Sequence, residues 1–387
     1  MSAIRVVFVS KIPTPYRLPL YRLLAERPEV DVQVLFAAAA EPNLPFDVRE
    51  SLGSVRHHFL PGFSTSLPTG REPFAYPVNH GVIAALRVAD PDLIVVGGYV
   101  VYADQAALLF ARRTGIPYVV HNESHLGRMR PAWVEALKAA VLPSLVGGAA
   151  GGLAVGSAAA RYLAHYGLHP GRIRLFPNTV DVGEYQRAAA AVRRRGARIR
   201  SRLDLPRHFV LYAGRLTPSK GIGDLAAALR MLGGQSPELV IAGVGPLSGE
   251  LGVLPRVRLL GFQPTDRLIE LLALADAAVL PSRAETWGVV VNEALACGCP
   301  VVVSDAVGAV EDLVVDGVNG RVFPAGDVRA LATALASGEP PGNLRGASGV
   351  PPGKRDARAA RIRRWDYDFA VEQFLELMRI VLPGRLP

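Results

Sequence analysis

The sequence predicts an α/β protein with parallel, doubly wound sheets, and three observations lead there. From Ile4 to about Pro177, apolar runs of strand length alternate with helical stretches, the rhythm of a sheet whose crossovers are helices. The length, 387 residues, suffices for two domains with a core apiece. The stretch from Val279 to Asp305 reads as one complete unit of such a sheet: a strand over Val279–Ser282, a loop, a helix over Gly288–Ala296 closed at Gly298, and a strand over Val301–Ser304.

In chain order, the first half supplies strands at Ile4–Ser10, Asp31–Ala37, Val55–Leu60, Leu93–Gly97, Tyr118–His121, Leu153–Gly156 and Arg174–Phe176. Helices are expected at Tyr16–Glu26, Val101–Arg113, Ala132–Leu142 and Ser157–Tyr166. Asn43–Pro77, rich in Pro and Gly, reads as an irregular loop over the sheet edge or a lid. Gly147–Gly152 reads as a loop before the strand at Leu153, and the arginine-rich stretch to Pro206 as a connection. In the second half, strands are expected at Phe209–Ala213, Leu239–Ala242 and Val257–Leu260, with a helix over Ile222–Leu232. Ser337–Lys354 reads as a surface loop, and the last helix, about Asp366 to Val381, carries an apolar stripe of Phe369, Phe374, Leu377 and Met378.

Composition excludes several classes. Half the residues are hydrophobic, yet no uninterrupted apolar run reaches the ~18 residues that span a bilayer. The start, MSAIRVVFVSK, is a poor signal peptide, and a cytoplasmic protein is expected. Cys297 and Cys299 flank Gly298 and read as two small buried thiols rather than a disulfide or a metal pair. A net charge of +9 and a pI near 9.8 favour anionic partners. The densest run, Arg193, Arg194, Arg195, Arg198, Arg200 and Arg202, reads as the solvated face of a helix, and no nucleic-acid module or stacking platform accompanies it. Trp133, Leu137, Val141 and Leu142 beside Arg128, Arg130 and Lys138 suit either a helix packed on the sheet or reversible attachment to an anionic membrane surface.

Chemistry-bearing residues collect at the ends of predicted strands. Glu285 lies just before the helix at Gly288, in the crevice where open α/β sheets bind ligands. Glu293 lies inside that nearly all-apolar helix, where a carboxylate needs a partner. Arg215 and Lys220 stand in one loop after a strand, a cationic pair suited to a diphosphate. His121, Asn122, Glu123, Ser124 and His125 follow another strand, and a metal reading of His121, Glu123 and His125 competes with a structural histidine. Lys11, Tyr16 and Arg17 follow the first strand, where they either meet a ligand such as a phosphate or form a helix entrance. Asp90-Pro91-Asp92 has D-x-D spacing but precedes its strand, the wrong end of a sheet for ligand binding.

Pro281 through Val302 resembles, position by position, the P-S-x-x-E-x-[FW]-G-x-x-x-x-E-A-x-A-x-G-x-P-V-V pattern of the retaining glycosyltransferases of family four. Gly214 to Gly221 is similar to the family's G-R-L-x-x-x-K-G, Gly243 to Pro246 to its G-x-G-P, and Asp316 to Gly320 to its D-G-x-N-G. Three places depart from the family: Lys11-Ile12-Pro13-Thr14-Pro15-Tyr16-Arg17 replaces a glycine-rich loop, Thr179 replaces Gly in P-N-G-V-D, and Ala309 follows Gly308 where paired glycines are usual. The resemblance implies the GT-B fold, two facing Rossmann-like domains with a cleft between them, divided as 1–183, a connection over 184–206, 207–364, and a terminal helix in 365–387 that crosses back to the first domain.

It further implies that Arg215 and Lys220 bind the donor diphosphate, that Glu285 contacts the donor sugar, and that His121 lies near that sugar. Glu293 would hold the ribose, the backbone at Trp287, Gly288 and Val289 the β-phosphate or sugar, Gly243 and Gly245 the donor, and Gly261 and Phe262 the nucleobase. Tyr16, Arg17 and Asn122 are acceptor-side candidates. The expected reaction is retaining transfer from a UDP- or GDP-sugar to a saccharide or lipid-linked acceptor, with no cofactor and no metal. An epimerase on the same fold and a non-catalytic sugar-nucleotide-binding or membrane-scaffold protein are the rivals.

Overall fold

A computed structural model describes residues 3–40, 52–53, 55–69, 72–127, 131–336 and 361–385. The expected loop at Ser337–Lys354, the basic residues Arg128 and Arg130, and most of 43–54 lie outside the described residues. The chain divides into two compact units, Met1–Asn178 with Tyr367–Pro387, and Thr179–Asp366.

The first unit is organised around β1 (Ile4–Ser10), whose Val6, Val7, Phe8 and Val9 are buried on both faces, as a central parallel strand requires. It pairs in parallel with β2 (Val30–Phe36) on one side, in register from Ile4 with Val30 to Ser10 with Phe36. The other strands are β3 (Arg56–Phe59), an antiparallel ribbon of β4 (Gly62–Thr69) and β5 (Glu72–Asn79), then β6 (Leu93–Val96), β7 (Tyr118–Asn122), β8 (Gly151–Ala154) and β9 (Ile173–Leu175). The sheet runs β3-β2-β1-β6-β7-β8-β9, so the strand order reverses between β1 and β6, the place where open sheets of this kind bind ligands beyond their carboxyl ends. Helices α1 (Leu18–Ala25), α2 (Val82–Ala89), α3 (Tyr102–Thr114), α4 (Ala132–Val146) and α5 (Ser157–His165) connect the strands.

Two expectations change here. The ribbon β4–β5 replaces the irregular loop expected up to Pro77: prolines 68, 73 and 77 fit because a two-stranded ribbon has free edges on which a missing N–H costs no pairing. Gly151 and Gly152 lie inside β8 rather than in a loop. A Cβ on Gly151 would stand 2.8 Å from Leu377, and one on Gly152 2.5 Å from Leu168, so glycine here lets helices press onto both faces of the strand.

The second unit has six parallel strands: β10 (Val210–Ala213), β11 (Leu239–Ala242), β12 (Val257–Gly261), β13 (Ala277–Leu280), β14 (Val301–Ser304) and β15 (Gly320–Phe323), in the order β12-β11-β10-β13-β14-β15. The reversal falls between β10 and β13. β13 ends two residues earlier than the apolar pattern suggests, because Pro281 has no N–H to continue the ladder. Its helices are α6 (Val182–Arg194), α7 (Gly196–Leu203), α8 (Ile222–Leu232), α9 (Ser248–Gly252), α10 (Thr265–Leu274), α11 (Val289–Ala296), α12 (Val310–Leu313) and α13 (Val328–Ala336).

Residues 184–206, expected as a connection, belong to this unit, and α6 and α7 make most of them helical, as the helix reading of their arginine run expects. Their arginines are not all solvated. Arg200 donates to the carbonyls of Pro206 (2.7 Å) and Leu274 (2.8 Å), Arg193 to that of Cys297, and Arg202 pairs with Glu270. The last helix, α14 (Tyr367–Val381), lies in the first unit's core, with Phe374 5.6 Å from Phe8 and 5.9 Å from Phe176 between ring centres.

Candidate active site

In the second unit, the two loops at the strand reversal are pressed together by glycine. After β10 the chain turns at Gly214 and runs through Arg215 to Gly221, whose φ of +69° needs glycine. A Cβ there would strike the Pro281 carbonyl at 1.8 Å. That approach brings Lys220 onto Glu285, and the ammonium donates to the Glu285 carboxylate, both side chains being at most one-fifth exposed. Arg215 lies half-buried in the same loop. Asp224, buried on α8, grips Arg283 through two bonds of 2.6 Å and fixes the second loop from below.

Gly288, at φ +93°, opens α11 directly after this loop, so the helix N-terminus begins three residues from Glu285. Val289 follows as its first residue, half-buried. Gly308 packs against the same loop: a Cβ on it would meet the Thr286 carbonyl at 2.0 Å, and its N–H bonds the Glu285 carbonyl. The Ala309 N–H is taken by the Trp287 carbonyl at 2.9 Å, so the second glycine that is usual there would carry no free amide in this geometry.

Trp287 points inward. Its indole N–H donates to Asn292 at 2.9 Å, Asn292 donates to the Thr179 hydroxyl at 3.2 Å, and Thr179 donates to the Trp365 carbonyl, while the two indoles lie 5.5 Å apart, tilted by 33°. Sequence reasoning missed this buried chain. The only signal was Asn292, polar inside an apolar helix, together with Thr179 in place of the usual glycine. Glu293 is half-buried on α11 and accepts from the Tyr185 hydroxyl of α6 at 3.1 Å. Desolvation pushes its carboxyl up to about 7, against the lowering by Tyr185. Gly243 and Gly245 also have a packing reason to be glycine, since Cβ atoms there would meet the Gly214 carbonyl at 1.9 Å and that of Leu216 at 2.5 Å. Gly261, at φ +70°, and the exposed Phe262 close β12 at the same end of the sheet.

In the first unit, the carboxyl ends of β1, β7 and β9 bring four predicted or neighbouring polar residues together. Arg17, buried at the entrance to α1, donates to Asn178 at 3.0 Å, lies 3.3 Å from His121 Nε2, and forms an ion pair with Glu123. A guanidinium only donates, so His121 Nε2 accepts and the ring proton sits on Nδ1, facing the Phe176 backbone to which the ring hydrogen-bonds. Burial first, and the Arg17 charge second, hold the imidazole well below its usual pKa, so it is neutral. Asn178 Nδ2 donates to the same Glu123 oxygen, Oε1, at 3.2 Å.

Tyr16 stands half-buried beside this set, and Asn122 is engaged in its own turn with Ser124 and with the Ala159 carbonyl. The D-x-D pair lies at the other end of the sheet, where Asp92 bonds Arg5 and Arg385 and Asp90 pairs with Arg5. Among the described residues no cluster of three metal-ligating side chains occurs.

Residues 195–339 match the family described as glycosyl transferases group 1, and residues 13–179 the glycosyl transferase 4-like domain. The chain is 32% identical over 338 residues to a D-inositol 3-phosphate glycosyltransferase of Catenulispora acidiphila, an overlap of 79% of this chain and 78% of the relative. The chain belongs to the group 1 glycosyltransferases. A second relative in this group, the D-inositol 3-phosphate glycosyltransferase of Acidothermus cellulolyticus, is 29% identical across 96% of this chain and 86% of its own. Anabaena HepE, solved in complex with UDP and with UDP-glucose, superposes with TM-scores of 0.73 and 0.71 at 21% identity, covering 97% of this chain and 99% of its own. The fold of this glycosyltransferase is therefore GT-B, its two units being the two parallel-sheet domains of that fold.

Proposed function

We propose that this glycosyltransferase moves a hexose or related sugar, with retention, from a UDP- or GDP-sugar to a hydroxyl of a saccharide or lipid-linked acceptor, without a metal. The observation that carries this reading is the Lys220–Glu285 pair at the strand reversal of the second unit, beside the N-terminus of α11. A cation, a helix N-terminus and a half-buried loop are what a departing diphosphate needs, because they stabilise charge that grows as the glycosidic bond breaks. Glu285, held by Lys220, orients the donor sugar, Arg215 and Lys220 hold the diphosphate, and Glu293 meets the ribose. The relatives named D-inositol 3-phosphate glycosyltransferase and the neighbour solved with UDP support a nucleotide-sugar donor. Glycosidase chemistry fits less well, since it needs two carboxyls converging across one bond, whereas Glu285 is bonded to Lys220 and Glu293 to Tyr185.

The test is incubation with UDP- and GDP-sugars and a panel of saccharide and lipid-linked acceptors, read by mass spectrometry and anomeric NMR, with and without EDTA. Released nucleotide and a new glycoside of unchanged anomeric configuration, undiminished by EDTA, are expected. An isomerised donor, or binding without turnover, would overturn the transferase reading, and activity restored only by Mg²⁺ or Mn²⁺ would overturn metal independence. We also propose that α4 attaches reversibly to anionic membrane surfaces, because Trp133 (69% exposed), Leu137 and Val141 form an open apolar face.

A further inference from the structure

Of the four polar residues gathered at the carboxyl end of the first unit's sheet, three face inward. His121 is 2% exposed, Asn178 3% and Arg17 9%, and their polar atoms bond one another, the backbone or Glu123. The fourth differs. The Glu123 side chain is 34% exposed, and its two oxygens have different surroundings. Oε1 accepts from both Arg17 and Asn178. Oε2 has no partner among the described residues.

We propose that Glu123 is the residue of the first unit that binds the acceptor, its Oε2 accepting a hydrogen bond from an acceptor hydroxyl, with Arg17, Asn178 and His121 acting as positioning residues behind it. This rests on the transferase reading above and names the group that would receive its acceptor.

The physical case has three parts. A carboxylate held at one oxygen by two donors cannot swing away, so its second oxygen is presented in a fixed direction and loses little entropy when a ligand arrives. Neutral His121 adds no charge, and Arg17 cancels that of Glu123, so the cluster is neutral as a whole while its open atom is a strong acceptor. That combination recognises a hydroxyl, which donates, and rejects a phosphate, which would set its oxygens against Oε2. A phosphate elsewhere on the acceptor would have to be held by other groups. The local sequence explains the arrangement: His121 and Glu123 are alternate residues at the end of β7 and share a direction, while Arg17 and Asn178 arrive from the ends of β1 and β9.

The test separates binding from turnover. Saturation-transfer NMR with myo-inositol and with methyl α-D-glucoside as probes, on the UDP-loaded full chain, reads binding without a reaction. Signals are expected for the wild type and a drop of about tenfold in affinity for Glu123→Gln, the range for losing a hydrogen bond to a charged group. Gln keeps an oxygen for Arg17 and Asn178, so the fold should hold, and an unchanged UDP Kd checks this. Asn178→Ala, which frees Oε1 from one donor, should weaken the same probes by a smaller factor. Equal signals in wild type and Glu123→Gln, or none in either, overturn the assignment. Product formation from UDP- and GDP-sugars is scored separately, so loss of the transferase reading and loss of the Glu123 assignment give different results.

Discussion

On the proposed mechanism, single residues at the second unit's strand reversal divide into those that act on growing charge and those that hold the donor. If Lys220 stabilises the departing diphosphate, Lys220→Ala lowers kcat by roughly 10²–10³, as for other preorganised oxyanion donors, in a protein that still melts cooperatively. Wild-type kinetics in that variant would remove Lys220 from the site. If Glu293 meets the ribose, Glu293→Gln behaves differently, because such a contact is alike in ground and transition states, and its loss raises donor KM with kcat little changed. Its pH dependence has a definite sign. The folded carboxyl titrates at about 7 against an ordinary 4.5, so the folded state binds the proton more tightly, and ionisation costs stability as pH rises through that window. Asp104, buried beside Gly97 and Gly98 and also pushed to about 7 by desolvation, titrates in the same window in both proteins and cancels in the comparison. Thermal melts should therefore show Glu293→Gln gaining on the wild type between pH 4.5 and 7; a constant difference across that range would contradict a proton-binding Glu293.

At the scale of elements, two helices carry distinct predictions. Helix α11 is tied to the rest of its unit through Asn292, which serves Trp287 on one side and Thr179 on the other. Asn292→Ala leaves a buried indole N–H and a buried hydroxyl short of a partner and should cost about 1–3 kcal/mol, read as a lower midpoint in urea. Asn292→Asp keeps the acceptor for Trp287 and should recover part of this if the bond to the indole dominates. Helix α4 is the reverse case, since its Trp133, Leu137 and Val141 are open while Leu142 and Val146 are buried. Lys138, grouped with the basic headgroup-facing residues in the sequence, is instead bonded to Glu135 at 3.0 Å and lies over the Tyr162 and Tyr166 rings, so of the three cations in the sequence the anionic preference falls to Arg128 and Arg130. Co-sedimentation with phosphatidylserine vesicles is expected for the wild type, weakened by salt and by Trp133→Ser. Equal binding to neutral vesicles, or none to either, counts against attachment.

For the whole molecule, the chain's two units have separate cores, and the last helix is built into the first of them. Phe374, fully buried between Phe8 and Phe176, should cost about 3–5 kcal/mol when cut to Ala. Hydrogen exchange should then quicken in β1 and β9 and stay unchanged in β10 through β15, with the UDP Kd unaffected. Uniform quickening across both units would show that they unfold as one.

The apolar rhythm alone was enough for the parallel sheets, because buried parallel strands must be continuous apolar runs, and Leu239–Ala242, Val301–Ser304 and Ile222–Leu232 fall where it puts them. The β4–β5 ribbon and the docking of Arg193 and Arg200 were not legible. Prolines mask a ribbon's pattern, and arginines that dock on carbonyls read like arginines in water. At the site, the residue types Lys220, Glu285, Arg17 and His121 were legible from the chain, but their pairing was not. Whether Lys220 meets Glu285 depends on Gly221 lying against Pro281, and whether His121 or Glu123 faces outward depends on where β1 and β9 deliver Arg17 and Asn178. Those are contacts between residues 55 to 161 positions apart, which no local pattern encodes and only the packed sheet decides.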